Sequence, residues 1–351
     1  MIPIRNIYYL LSYSWDLLEE AEELAVETED LPQVADLLAR LIINSTRRLL
    51  RRGIDRDYLP QTDVLSTLRG RINFGASIRK LLLAQGKAQC DFEEFLPDLL
   101  HNQILKTTIQ VLVGIDSLDD RQRIDLNTLL RRMDGIRYLQ LRKIHFTEVR
   151  LNLNRNNSHY RLLLRICELV YDNILMNEES GINTFRDFLR DKRQMAHLFE
   201  SFVANFYRKE TDWDVTPQKK IAWYTSTPCY LLPDMNADAV LRRKRFTTVV
   251  ECKYYEETMQ SGRYSEKSKI RSQHLYQLLA YVENIRFRLE VDGELEGILI
   301  YPTVNICLQE DLVLAGNKIK IRTLNLNSPW EEIAEKLKEF INQPQHQASP
   351  S

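Results

Sequence analysis

The chain has 351 residues, enough for two domains with their own cores, and its 44% hydrophobic and 28% charged residues are ordinary for a folded globular protein rather than a disordered one. A net charge of −1 excludes a uniformly basic coat, so any nucleic-acid contact must come from local patches. Five cysteines, Cys90, Cys167, Cys229, Cys252 and Cys307, are odd in number and lack C-x-x-C spacing, which speaks against a disulfide framework or a zinc site. No apolar run is long enough for a membrane span and the N-terminus lacks a leader pattern, so a cytoplasmic protein is expected.

The first half reads mainly as helices. Ile7, Leu10, Leu11, Leu17 and Leu18 mark an initial amphipathic helix, and Val34 to Leu50 a second, which leads into the basic group Arg47, Arg48, Arg51 and Arg52. Arg52 to Pro60 and Gly70 to Gly75 look like short strands or loops, with Arg69, Arg71, Arg79 and Lys80 as a further basic group. Phe92 to Val113 reads as a third helix, Thr147 to Leu151 as a brief strand, Asn152 to Ser158 as an Asn-rich surface loop, and Tyr160 to Met176 as a later helix. Glu178, Glu179, Ser180 and Gly181 break the apolar pattern, which places a boundary in Asn177–Thr184. The expected domains are residues 1–180, residues 181–342 and a disordered tail at 343–351.

The second half carries the chemistry. Met195, Leu198, Phe199, Phe202, Val203 and Phe206 repeat at helical spacing, and Glu200 lies near the border of that apolar face. Ala237 to Leu241 and Phe246 to Tyr254 read as two strands of a hairpin, with Arg242 to Arg245 as a basic turn expected beside the site. Side chains alternate along a strand, so Glu251 and Lys253 share a face. If Asp238 lies opposite, two carboxylates and a lysine converge. Downstream, Gln273, Gln277 and Tyr281 fall at i, i+4 and i+8 of a helix whose Leu275, Leu278, Leu279 and Val282 are core-like. A fourth basic group, Arg263, Lys267, Lys269 and Arg271, precedes that helix. Gly297 to Pro302 and Lys318 to Leu326 read as strands, the first apolar enough for the interior of a sheet covered by helices, and Ser328-Pro329-Trp330-Glu331 opens a last helix.

The trio has a clear use. Mg2+ takes oxygen ligands and keeps several waters, so two carboxylates and a substrate phosphate hold it without a full protein cage. It acidifies water and shields the charge that builds on a phosphodiester under attack, while a lysine beside it positions the water and stabilises the same charge. Asp238 and Glu251 are the candidate ligands, with Glu200 as a third, and Lys253 and Gln277 complete the candidate catalytic set. A surface hairpin with a salt bridge would give the same short pattern. His197 and His274 read as satisfied surface or boundary histidines rather than ligands.

The order of acid-bearing helix, Asp strand, Glu-x-Lys strand and Gln277-Leu278-Leu279-Ala280-Tyr281 helix resembles the PD-(D/E)xK nuclease superfamily. That resemblance implies an α+β fold, a helix-rich N-terminal domain followed by a mixed sheet flanked by helices. Pro233-Asp234 also matches the literal Pro-Asp, but Asp238 lies closer to the hairpin turn and is preferred. Over nearly the whole chain, Ile2-Pro3-Ile4-Arg5-Asn6-Ile7-Tyr8-Tyr9-Leu10-Leu11-Ser12-Tyr13, Arg51-Arg52-Gly53, Gly70-Arg71-Ile72, Leu231-Leu232-Pro233, Glu251-Cys252-Lys253-Tyr254-Tyr255 and Ser272 to Leu278 are similar to the McrC family, the nuclease subunits of McrBC restriction systems.

The resemblance implies a Mg2+-dependent endonuclease that works on double-stranded DNA with modified cytosine, beside an McrB-like AAA+ GTPase whose GTP hydrolysis it stimulates. This chain has no G-x-x-x-x-G-K-[ST] loop, so GTP is expected only through that partner. Residues up to about 180 are expected to dock to the ring, with Arg5, Tyr8 and Tyr9 contributing. The alternatives are a stand-alone repair or transposon nuclease and a non-catalytic ring adaptor.

Overall fold

The computed structural model describes residues 2–17, 33–176, 183–185, 188–227, 229–254, 260–262, 265–288, 293–303 and 307–341. Leu18, Glu178 to Gly181, Tyr255, Arg263 and the tail 343–351 lie outside them, as do the side chains of Lys267 and Lys269. The chain divides into two compact units, Gln33–Arg186 on one hand and Met1–Pro32 with Asp187–Ser351 on the other. The expected division at 1–180 and 181–342 thus differs at its start, because the first helix, α1 (Ile4–Ser14), belongs with the C-terminal half.

In the Gln33–Arg186 unit, α2 (Val34–Arg52) leads into a three-stranded antiparallel sheet of order β1-β3-β2, formed by β1 (Asp57–Leu65), β2 (Arg71–Ile72) and β3 (Ala88–Leu96), with α3 (Phe74–Arg79) between the last two. Helices α4 (Leu100–Val113), α5 (Asp120–Arg132), α6 (Lys143–Asn152) and α7 (Arg161–Asn173) follow, then the small ladder β4 (Ile174–Met176) and β5 (Asn183–Phe185). Two expectations are corrected here. Phe92 to Leu96 is strand rather than helix, since it pairs residue by residue with β1 from Phe92–Gln61 to Leu96–Asp57, and Pro97 separates it from α4. Thr147 to Leu151 lies in α6 rather than a strand, since its buried residues, Phe146 and Val149, are three apart, the spacing of one helix face.

The second unit is built on a six-stranded mixed sheet of order β12-β13-β11-β8-β7-β6. After α8 (Lys192–Glu210) come β6 (Asp214–Ile221), β7 (Met235–Arg243) and β8 (Phe246–Cys252), an antiparallel meander. A short ladder of β9 (Gln260–Gly262) with β10 (Ser265–Lys269) precedes α9 (Ser272–Phe287). Then β11 (Glu294–Thr303) joins β8 in parallel, and β13 (Asn317–Asn325) joins β11 in parallel with β12 (Gln309–Leu314) antiparallel at the edge. All of β11 beyond Glu294 is buried, as a strand central to a covered sheet requires. The chain closes with α10 (Trp330–Ile341).

One face of the sheet packs on α9. Val249, Leu299, Tyr301, Ile319 and Ile321 meet Leu278, Tyr281, Val282 and Ile285 there. The close fit depends on Gly297, where an added Cβ would lie 2.9 Å from Leu278 Cγ and 3.0 Å from Ile319 Cδ1. At the other end of the chain order, α1 is tied into the same unit. Tyr9 stacks on Trp330 with ring centroids 4.3 Å apart, Asn6 donates to the carbonyls of Leu326 and Ser328 at 2.8 Å each, and Arg5 pairs with Glu331 at 3.1 Å. No helix among the described residues is long and apolar enough to cross a membrane.

Candidate metal and catalytic site

The site forms where β7 and β8 part. Their last registered pair on this side is Ala239 with Val250, and one step further lie Asp238 and Glu251. Beyond it β8 continues along β11 alone, with Lys253 N donating to Ile300 O at 2.9 Å. The ladder bond that β7 no longer supplies is replaced by a side chain, since Asp238 Oδ2 accepts the main-chain N–H of Cys252 at 2.7 Å. Lys253 curls back over the end of its strand and donates to Glu251 Oε1 at 2.5 Å. The three residues expected from the sequence are therefore brought together. Asp234, the rival first acid, has a side chain 69% exposed and pairs with Lys220 at 2.7 Å.

The helices deliver the remaining groups. Asp191 caps α8 by accepting from Arg193 N and Gln194 N, and the helix buries Met195, Leu198, Phe199, Phe202, Val203 and Phe206, which leaves Glu200 half-buried at the margin of the packed face. On α9, Gln277 donates to the Tyr281 hydroxyl at 2.7 Å, the i, i+4 contact that the spacing demands. Gln273 is exposed on the first turn.

Electrostatics mark the site as short of positive charge. Glu251 is 1% exposed and Asp238 8% exposed. Burial, then the charge of Asp238, pushes the Glu251 carboxyl up to about 7 despite Lys253. Burial, then Asp238, likewise pushes Glu200 up to about 7. Asp238 is raised by burial, against the opposing pull of the Cys252 N–H, Lys253 and a hydrogen bond from Gln218. For Lys253, burial works against the ammonium, but Glu251 and Asp238 outweigh it and raise its pKa. Glu251 Oε2 is buried with no hydrogen-bond partner, a costly state for a carboxylate oxygen.

A divalent cation fits these groups, because it would satisfy the orphaned oxygen and offset the burial that raises all three carboxyls, with the repulsion that adds to it at Glu251 and Glu200. Among the described residues no group of three or more His, Cys, Asp or Glu side chains is gathered as a ready-made cage. Two carboxylates would suit a hard ion that takes its remaining ligands from substrate phosphate and water. Asp238 and Glu251 are the buried pair, and Glu200 interacts with them through its charge.

Two features escaped the sequence reading. His274 is buried rather than at the boundary, bonded to the Tyr301 hydroxyl at 2.9 Å, and burial, then Lys253 and Arg271, lowers it to about 4, so it stands neutral beside the lysine. Gln218 faces Asp238 from β6, and only its register could have pointed to it. One expectation is overturned. The basic turn is not beside the site, because Lys244 and Arg245 close the hairpin six residues from Asp238 and Glu251, about 20 Å away at the rise of a strand. Arg243 there pairs with Asp212 at 2.9 Å. In the other unit Arg47 pairs with Asp125 and Arg69 with Glu94.

A family model described as "McrBC 5-methylcytosine restriction system component" matches residues 5–302. The Type IV methyl-directed restriction enzyme EcoKMcrBC of Escherichia coli strain K12 is 30% identical over 348 residues, 98% of each chain. The half-complex from the tetradecameric assembly of Thermococcus gammatolerans McrB AAA+ hexamers with bound McrC has a chain that is similar in fold, with a TM-score of 0.60 at 19% identity, over 97% of this chain and 76% of that one.

Proposed function

Because the chain belongs to the family of McrBC 5-methylcytosine restriction system components, we propose that its Asp238–Glu251–Lys253 centre cuts DNA. In this reading it is the Mg2+-dependent endonuclease subunit of a modification-dependent restriction complex. The observation that carries the reading is a pair of buried carboxyls, Asp238 and Glu251, set beside one lysine at a parted strand end, with a buried oxygen of Glu251 left unpaired. A structural salt bridge would need none of that surplus negative charge.

Asp238 and Glu251 would hold Mg2+, with Glu200, which feels the charge of Asp238, as the third carboxylate of the proposal. The ion supplies acidified water and charge neutralisation at the scissile phosphate. Lys253 places its ammonium where the attacking water and the developing phosphorane charge meet, and its bond to Glu251 sets its direction before substrate arrives. Water attacks phosphorus and gives its proton to solvent or to a neighbouring base, while the P–O bond to the sugar oxygen breaks and that oxygen takes a proton from solvent. Gln277, oriented by Tyr281, offers an amide to the same region. Neutral His274 adds no second positive charge to compete with Lys253.

The relative from E. coli is named a methyl-directed restriction enzyme, and the archaeal assembly pairs McrC with McrB AAA+ hexamers. On that basis we assign this chain an McrB-like AAA+ GTPase partner that it stimulates, and double-stranded DNA with modified cytosine as substrate. The test is cleavage of cytosine-methylated and unmethylated duplexes by the purified chain, with and without the AAA+ partner and GTP. Cutting that needs methylation, partner and GTP together supports the assignment. Cutting by the chain alone, blind to methylation, replaces it with a stand-alone nuclease, and stimulation of the GTPase without any cutting replaces it with a ring adaptor.

A further inference from the structure

β6 ends at Ile221 and β7 begins at its partner Met235, so the connection between them leaves the sheet at the end that carries the site. Asp238 lies three residues into β7, about 10 Å from that exit at the rise of a strand. The base of the connection is fixed. Trp223 Nε1 donates to Pro233 O at 2.7 Å across it, Tyr224 N donates to Asn284 Oδ1 of α9 at 2.6 Å, and the Tyr224 ring stacks on Phe287 with centroids 5.4 Å apart. Its tip is a β-turn in which Leu232 N donates to Cys229 O at 3.4 Å, with Tyr230 and Leu231 at the two central positions. Those two side chains are 94% and 74% exposed, and Leu232 beside them is 38% exposed. Consecutive large apolar groups held out into water on a fixed base mark a surface that something covers.

Charge and position select the occupant. From Val215 to Pro233 there is no acidic residue, although 49 of the 351 residues are Asp or Glu, and the only charges in that stretch are Lys219 and Lys220. Asp234, which follows, is paired with Lys220 at 2.7 Å. An element without carboxylates enters the field of a polyanion unopposed, yet the turn itself has no cation to hold a phosphate, so its contact with nucleic acid is with the bases. A duplex whose scissile phosphate lies at Asp238 and Glu251 presents grooves about 6 and 12 Å wide on either side of that phosphate. An element rooted about 10 Å from Asp238 therefore stands over a groove rather than over the phosphate being cut. We propose that the Tyr230–Leu231 turn enters the minor groove of the DNA beside the scissile phosphate and wedges open a base step. Apolar side chains inserted in this way kink a duplex and bring more of it against the protein, and the tyrosine ring offers a face on which an unstacked base rests.

This inference rests on the nuclease reading above. The test uses the full chain with its AAA+ partner and GTP, and a methylated duplex carrying 2-aminopurine at the base steps next to the mapped cut. Tyr230→Ala/Leu231→Ala keeps the wild-type melting temperature and GTPase stimulation, yet needs about 10-fold more DNA for half-maximal cleavage. Tyr230→Trp, which keeps an aromatic face, stays near wild type. In a Glu251→Gln background, where DNA is bound and not cut, the intact turn raises the 2-aminopurine fluorescence on binding and the double alanine variant does not. An unchanged DNA requirement in the double variant, or no fluorescence rise with the intact turn, overturns the wedge while the nuclease reading stands. Loss of GTPase stimulation in the double variant puts the AAA+ ring on the turn instead, and a change in the oligomeric mass of the chain puts a second copy there; either result also overturns it. Cutting by Glu251→Gln at the wild-type rate overturns the metal site, and this inference with it.

Discussion

Asp238 and Cys252 belong to different strands, and the side chain of one satisfies the backbone of the other, with Asp238 Oδ2 accepting the Cys252 N–H at 2.7 Å. The carboxylate thus has two tasks, to end the β7–β8 ladder and to carry charge at the site. Substitutions separate them. Asp238→Asn keeps an acceptor for the N–H and removes the charge that raises Glu251 and Glu200, so its melting temperature stays equal to or above wild type while cleavage falls at least about 100-fold. Asp238→Ala strands the buried N–H and costs about 1–3 kcal/mol as well. Thermal melts of the two variants beside a cleavage assay check the split.

Lys253 and Glu251 form a pair whose parts are unequal, since Glu251 is buried and Lys253 reaches partly into solvent. Lys253→Met leaves an uncompensated carboxylate and destabilises the unit by about 3 kcal/mol. Adding Glu251→Gln to that variant restores part of the stability and none of the cleavage. Denaturant unfolding of the single and double variants measures this, and simple additivity of the two losses would contradict the pairing.

Gly297 sets how closely α9 approaches the sheet, and α9 carries Gln277 and Tyr281. Gly297→Val forces Leu278 outward, costs about 1–3 kcal/mol by overpacking, and reduces cleavage more than a surface change of equal stability cost. A stability-matched control variant elsewhere in the unit makes the comparison.

The Gln33–Arg186 unit holds a partly buried histidine pair around Asp55, with His101 Nε2 3.5 Å and His159 Nε2 3.8 Å from its carboxylate. Burial lowers both pKa values, His101 despite the pull of Asp55 and His159 with added repulsion from Arg52. A histidine lowered in the folded state is protonated first in the unfolded chain, so its contribution is present above the ordinary value of 6.5 and is lost as the pH falls below it. Each contributes a slope of at most about 1.4 kcal/mol per pH unit. The carboxyls raised in the other unit slope the opposite way, so the informative quantity is the difference between wild type and His101→Gln/His159→Gln. That difference changes between pH 7 and 5, and a flat difference would contradict partly buried neutral imidazoles.

Much of the site was legible because its parts obey local periodicities. Glu251 and Lys253 at i and i+2 of a strand, Gln277 and Tyr281 at i and i+4 of a helix, and Glu200 at the rim of an apolar helix face all follow from backbone geometry. The hairpin joining Asp238 to Glu251 follows from a polar turn between the run Ala237 to Leu241 and a β-branched run from Phe246. Distant packing was not legible. Tyr9 meets Trp330 across more than 300 residues, so an amphipathic first helix gives no sign of which unit it joins. His274 became buried because Tyr301, on a strand that follows α9, offers it a hydroxyl. Phe92 to Leu96 carries an apolar pattern that suits a helix until β1 is there to pair with it. The left-handed Gln218 has no sequence signature, since glutamine is not a residue that marks such a turn.

The assignment of Asp238 and Glu251 to DNA cleavage is tested by a Mg2+ titration of methylated-DNA cutting, with the AAA+ partner and GTP present, for wild type, Asp238→Asn and Glu251→Gln. The site described above predicts saturable Mg2+ dependence for wild type and no cleavage at any Mg2+ concentration for either variant, both of them folded and still stimulating GTP hydrolysis. Cleavage by Asp238→Asn at the wild-type rate would contradict it and place the cutting centre elsewhere in the complex.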